Sequence, residues 1–144
     1  MRRVGTSLYV MELFVMALVL ALGVASAQDD PRADHVPTDP TSLSEADRAH
    51  VPVLFVPERV RAGRPFDLML QVGVRPRASD ATHTTDWIEV WVDERRALRA
   101  ELGPDLAYPV LRVPLTLHRS ARIRVRAHCA SHGVWSTERP ITVE

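Results

Sequence analysis

Lysine is absent: all 18 basic residues are arginine. That is a compositional bias a protein surface tolerates, although arginine and lysine are not equivalent at a site. Cysteine occurs once, at Cys129, so no internal disulfide can form. Net charge is absent too, 18 acidic residues balancing 18 basic ones. This removes the electrostatic case for a nucleic-acid partner or an anionic membrane surface. There is no glycine-rich phosphate loop and no internal repeat. At 144 residues the chain has room for one domain and a targeting segment, and little for a second core.

Long apolar runs are missing except at the start. Met1-Arg2-Arg3 is followed by the apolar stretch Leu8 to Val24, interrupted only by Glu12, and then by Ala25-Ser26-Ala27 and polar Gln28-Asp29-Asp30. This is a secretory signal pattern with small residues at the cleavage position, so residues 1–27 read as a signal peptide. The rival reading is a retained membrane anchor, since the stretch is about as long as a span needs. Arg2-Arg3 raises the twin-arginine route, which the following residues fit poorly. Either way the expected location is periplasmic or secreted. In that oxidising setting a lone thiol is buried and inert, paired between chains, or bound to a metal.

Residues 28–48 are rich in Asp, Pro, Ser and Thr and read as a flexible linker. From there on the hydrophobic period is two. Phe66, Leu68, Leu70, Val72 and Val74 alternate with polar or small residues. So do Ile88, Val90 and Val92, then Leu111, Val113, Leu115 and Leu117, then Ile123, Val125 and Ala127. Such alternation marks half-buried antiparallel strands. Turn signals at Gly63-Arg64-Pro65, Gly103-Pro104-Asp105 and Arg119-Ser120 separate them. Val53–Val56 and Ile141–Val143 add strands at the ends. Only Ser44–Ala49 and Glu94–Glu101 tolerate helix, and the second reads equally as strand and turn. About seven short strands over residues 49–144 predict an all-β fold, an immunoglobulin-like antiparallel β-sandwich.

Strand parity sorts the six histidines. Cys129 is in phase with Ile123, Val125 and Ala127, so its thiol should face inward. His128 and His118 fall on polar faces, and His35 lies in the linker. His50, His83 and His132 remain, each next to a strand end. Cys129-Ala130-Ser131-His132 is a C-x-x-H pair, a spacing that lets one turn deliver two ligands to one ion, with Gly133 permitting the turn. His50, His83, Cys129 and His132 are therefore the candidate metal ligands. The competing reading of each histidine alone is a solvated loop residue.

Three blocks carry a family resemblance. His50-Val51-Pro52-Val53-Leu54 resembles the H-V-P-V-I stretch of the superoxide reductase family, the iron domain of desulfoferrodoxins and neelaredoxins. His83-Thr84-Thr85-Asp86-Trp87-Ile88-Glu89-Val90 resembles its H-x-I-x-W-I-E-L, and Cys129-Ala130-Ser131-His132-Gly133-Val134-Trp135 its C-N-x-H-G-x-W. The blocks follow the family order across residues 48–136. The resemblance implies a seven-stranded sandwich holding one non-haem iron by four histidines in a plane and an axial cysteine. It implies reduction of superoxide to hydrogen peroxide at the sixth position, with thiolate electron density favouring peroxide release. By resemblance His50, His83 and His132 are planar ligands and Cys129 the axial one. No rubredoxin-like cysteine set is present, so a separate electron donor is implied.

The sequence also departs from that pattern. Arg75 stands where the family has another histidine, and guanidinium, always protonated, is no ligand. Three histidines and one cysteine remain unless His35 or water completes the set. Arg48 and Ala49 replace the Glu-Lys that precedes the first histidine in the family, and Ala130 replaces the Asn after the cysteine. Arg48 keeps a positive charge but donates protons poorly. Two other readings follow: a non-catalytic zinc or copper site, or an interaction domain that has lost its metal. No Met follows His132 at a blue-copper spacing. The oligomeric state is not legible in the sequence.

Overall fold

Alternating sequence becomes two facing sheets. The computed structural model describes residues 34–37, 39, 41–76 and 83–144; the signal-peptide reading falls outside them. A short helix, α1 (Glu45–His50), comes first. Eight strands follow: β1 (Pro52–Phe55), β2 (Arg59–Val60), β3 (Pro65–Val72), β4 (Thr85–Val92), β5 (Arg95–Glu101), β6 (Val110–Thr116), β7 (Ala121–Cys129) and β8 (Gly133–Val143). One sheet has the order β1-β3-β6, the other β2-β8-β7-β4-β5. All pairings are antiparallel except β2 with β8. The fold is thus a β-sandwich, with two-residue β2 as the strand beyond the expected seven. Among the described residues no helix is long and apolar enough to cross a membrane.

The core lies between the sheets, and the predicted alternation builds it. Leu68, Leu70 and Val72 of β3 meet Ile88 and Val90 of β4, Ile123, Val125 and Ala127 of β7, and Ile141 of β8. Each large aliphatic side chain buried this way stabilises the fold by roughly 1.5–3 kcal/mol. Val74 departs from the pattern: it shares the parity of Val72 but is exposed. The strand ends at Val72, and Gly73 (φ +82°) turns the backbone out of the pleat. Glu94–Glu101 takes the strand-and-turn alternative, with Asp93 (φ 51°) in the tight β4–β5 connection.

The outer face of the larger sheet is polar but not loose. Glu89 points away from the core, yet its side chain is only 3% exposed. Arg96 (2.7 Å), Arg99 (2.9 Å), Arg126 (3.0 Å) and the Trp91 indole (3.0 Å) all donate to its carboxylate. Burial pushes the Glu89 carboxyl up, but the Arg99, Arg96 and Trp91 hydrogen bonds and the Arg126 charge outweigh it and hold it at about 2. His128, expected at the solvent face, is half-buried there. Its ring stacks on Trp87 (5.4 Å, 7°) and its Nδ1 lies 2.9 Å from Asp86.

Candidate metal centre

One end of the sandwich gathers the histidines, and each arrives by a different local device. Cys129 closes β7 and pairs with Gly133 at the start of β8. Between them the His132 N–H donates to the Cys129 carbonyl (3.2 Å), a β-turn whose first and last residues are the C-x-x-H pair. Gly133 at φ +77° lets the chain leave that turn into β8. Cys129 Sγ and His132 Nδ1 are consequently 3.4 Å apart. Cys129 is buried, as parity predicts, while His132 is exposed.

His50 is delivered by α1. Ser44 and Asp47 form a reciprocal capping box at its start. The His50 Nδ1 lies 2.8 Å from the Ala46 carbonyl, one turn back. A carbonyl only accepts, so Nδ1 carries the hydrogen and Nε2 is left as the ligating nitrogen. Gly73 seats the end of the helix on the sheet. Its N–H donates to Val51 O (2.9 Å), and the next N–H, of Val74, donates to Arg48 O (2.8 Å).

His83 is reached through an irregularity the alternation hides. Trp87 faces outward, so strict period two would turn Thr85 and His83 outward as well. Instead the register of β4 against β7 shifts between Thr85 and Trp87: Trp87 pairs with His128, Thr85 with Cys129. The extra residue, Asp86, is a bulge that reverses the facing of what precedes it. Thr85 is buried opposite Cys129 and lines a small cavity with His83, His50 and Cys129. That cavity measures about 20 Å³, room for one water-sized occupant.

The three imidazole rings lie close to one another. Ring centroids of His50 and His132 are 4.5 Å apart, of His83 and His132 5.1 Å, and of His50 and His83 5.5 Å. The ligating atoms of His50, Cys129 and His132 lie within 4.8 Å of one another, a set that could hold a metal ion. Neighbouring ligands of an ion bound at about 2.1 Å (His) and 2.3 Å (Cys) are themselves roughly 3–3.6 Å apart. The 3.4 Å between Cys129 Sγ and His132 Nδ1 fits, and a mixed imidazole–thiolate set suits a transition metal. His83 shares the cavity, its ring stacked against both other imidazoles. His35 does not complete the site: its Nε2 donates to Asp47 Oδ1 (3.1 Å), and its ring packs on Trp135. His118 is exposed. Arg75 is exposed after the end of β3.

The family model described as Desulfoferrodoxin matches residues 42–138. The chain belongs to the desulfoferrodoxin family. It is a distant, superoxide reductase-like member. A candidate superoxide reductase of Methanocaldococcus jannaschii is 25% identical over 105 residues, covering 70% of this chain and 89% of the relative. Another, from Thermotoga maritima, is 27% identical over 114 residues, covering 66% and 87%. Among solved structures, a point variant of the superoxide reductase (neelaredoxin) from Ignicoccus hospitalis superposes with a TM-score of 0.69 at 27% identity, over 81% of this chain and 99% of that one. The sandwich of this desulfoferrodoxin-family chain is therefore the neelaredoxin sandwich, and its histidine–cysteine cluster suggests a metal site.

Proposed function

We propose that this chain is an exported mononuclear iron protein that reduces superoxide to hydrogen peroxide, with activity lowered by the missing fifth protein ligand. The observation that carries the reading is the convergence of His50, Cys129 and His132 within 4.8 Å, with His83 on the same cavity wall. His50, His83, His132 and Cys129 would hold the ion. Ferrous iron supplies the one electron that, with two protons, turns superoxide into hydrogen peroxide; a separate donor protein would restore it.

The chain's own groups set the conditions. The Ala46 carbonyl fixes the His50 tautomer and ring orientation, as outer partners of metal-binding histidines do. Cys129 is buried beside His50, His83 and Thr85, so a thiolate there would be shielded from bulk water. The cavity between His50, His83 and Cys129 is about the size of one ion or water, and His132 is exposed beside it, so a bound ion would lie near the surface. No lysine is available to relay protons, and arginine is a poor donor, so protons would come from water or another acid than lysine. With Arg75 at the sequence position of the family's further histidine, the chain would offer the ion one imidazole fewer. The same substitution supports a second reading, since three histidines and one cysteine equal the four ligands of a closed zinc site.

The test begins with protein purified without added metal, whose metal content separates iron from zinc or copper. The chain is then loaded anaerobically with ferrous iron and oxidised. A thiolate-to-iron charge-transfer band that disappears in Cys129→Ser is expected, as is superoxide decay that scales with protein concentration in pulse radiolysis. No band in the parent would end the iron–thiolate reading. N-terminal sequencing of protein recovered from a periplasmic fraction tests export and cleavage after Ala27.

A further inference from the structure

Two residues outside the family match touch the metal centre's supports. Asp34 and His35 precede residues 42–138, in a stretch whose composition reads as linker. Asp34 accepts from Arg126 Nε (2.8 Å) and Nη2 (2.7 Å), a two-pronged, partly buried ion pair. His35 bridges β8 in parallel: its N–H donates to Val134 O (2.7 Å), and its carbonyl accepts from the Ser136 N–H (3.0 Å). Those two bonds flank Trp135. The His35 ring packs on the Trp135 ring (4.0 Å) and donates to Asp47 in α1 (3.1 Å). Trp135, in turn, stacks on the His50 ring (5.0 Å, 19°).

We propose that Asp34 and His35 form a clasp that positions His50 for metal binding. The inference rests on the metal-site reading above and assigns that site an additional pair of positioning residues. α1 has six residues, and helices shorter than about 12–15 residues are marginal on their own. Its order must come from tertiary contacts, and the His35–Asp47 bond is one. The His50 ring is oriented by a bond to its own helix and by stacking on Trp135. The clasp therefore acts on two of the contacts that orient this ligand, beside its packing on His83 and His132: it holds the helix through Asp47 and the indole through the His35 backbone and ring. Without it, His50 samples more orientations, and ordering them lowers metal affinity.

The test uses the full chain, with His35→Ala, the double variant Asp34→Ala/His35→Ala, and His35→Gln, which keeps a donor near the Nε2 position. Ferrous ion and zinc are titrated separately, anaerobically, against a chromophoric chelator. Amide exchange of the metal-free proteins is followed at Arg48 and Val51 in and just after α1 and at Ile88 and Ile123 in the core. His35→Ala should weaken metal binding about 10-fold, in line with the loss of an outer partner of a ligand, and the double variant at least as much. It should also speed exchange at Arg48 and Val51 while leaving Ile88 and Ile123 protected. His35→Gln should recover part of both losses. Affinity and Val51 exchange equal to the parent's would overturn the clasp. A parent chain that takes up neither metal overturns the metal-site reading alone, and the Val51 exchange then decides the clasp.

Discussion

Replacing Gly73 with alanine separates two physical effects at the point where α1 meets the sheet. A Cβ built there lies 2.6 Å from Ala49 O and 3.3 Å from Arg48 O. Ordinary carbon–oxygen contacts sit near 3.3 Å, so the end of α1 must retreat by about 0.7 Å. Such overpacking costs roughly 1–3 kcal/mol. The φ of +82° adds roughly 1–2 kcal/mol for any residue with a Cβ, while the less flexible unfolded chain returns roughly 0.4–1 kcal/mol. The net expectation for Gly73→Ala is a loss of about 1–5 kcal/mol in urea unfolding. Gly133→Ala is the control. Its φ is +77°, but a Cβ there meets nothing within 4 Å, so only the backbone term applies, about 1 kcal/mol net. The retreat also moves His50 by more than the ~0.5 Å a metal constellation tolerates, so metal affinity should fall about 10-fold in Gly73→Ala. Equal stability losses in the two variants would refute the close-approach argument. Unchanged affinity in Gly73→Ala would refute the link from Gly73 to His50.

Other outcomes follow from the same structure. Glu89→Gln leaves Arg96, Arg99 and Arg126 around a neutral group; those arginines keep part of their surface in water, so the loss should be about 1.5–3 kcal/mol, measurable by urea unfolding. The Glu89 carboxyl is held at about 2, below its ordinary 4.5. Its contribution, about 3 kcal/mol, is therefore complete above pH 4.5 and is lost as pH falls toward 2. Unfolding curves between about pH 5 and 2 should show that loss in the parent and not in Glu89→Gln. Arg75→His puts an imidazole at the sequence position where the family pattern has one; if that position reaches the proposed site, ferrous binding should tighten by about 10-fold or more in chelator competition, and unchanged affinity would show that it does not. Ile88→Ala removes a side chain of the core with 0% exposure and should cost about 2–5 kcal/mol by thermal or urea unfolding.

What could be read from the sequence was what depends on period and spacing. The apolar positions of β3, β4 and β7 alternate strictly, and burial of Leu68, Leu70, Ile88, Val90, Ile123 and Val125 follows at once. The C-x-x-H spacing needs only a β-turn and a permissive glycine, so the pairing of Cys129 with His132 is legible in the spacing alone. The Asp86 bulge could not be seen, because nothing in Thr85-Asp86-Trp87 marks which residue is extra. Parity therefore gave no account of how His83 turns toward Cys129; only its motif did. Glu89 falls on a polar face by pattern, and its burial depends on three arginines from two neighbouring strands. Asp34 and His35 carry no periodic signal, since their contacts with Arg126, Asp47 and β8 span many residues and are set by the finished fold.

The ligands come from elements of unequal robustness, and this bears on how the site behaves. Cys129 and His132 belong to one hairpin, whose strand β7 is hydrogen-bonded on both sides, to β4 and to β8. Cys129 is anchored there between Thr85 and Gly133, while His132 rides on the turn. His50 belongs to a six-residue helix held at its end by the Gly73 and Val74 bonds. A metal ion joining the hairpin to the helix links the two, and an ion that binds only the closed arrangement stabilises that arrangement by RT ln(1 + [L]/Kd). At a free metal concentration about one hundred times Kd this is about 2.7 kcal/mol, or roughly 100-fold slower exchange at Val51. The Ile123 amide, already protected by the sheet, should gain only where its exchange requires global unfolding. Protection that rose first at Ile123 and not at Val51 would place the bound ion elsewhere than between His50 and Cys129.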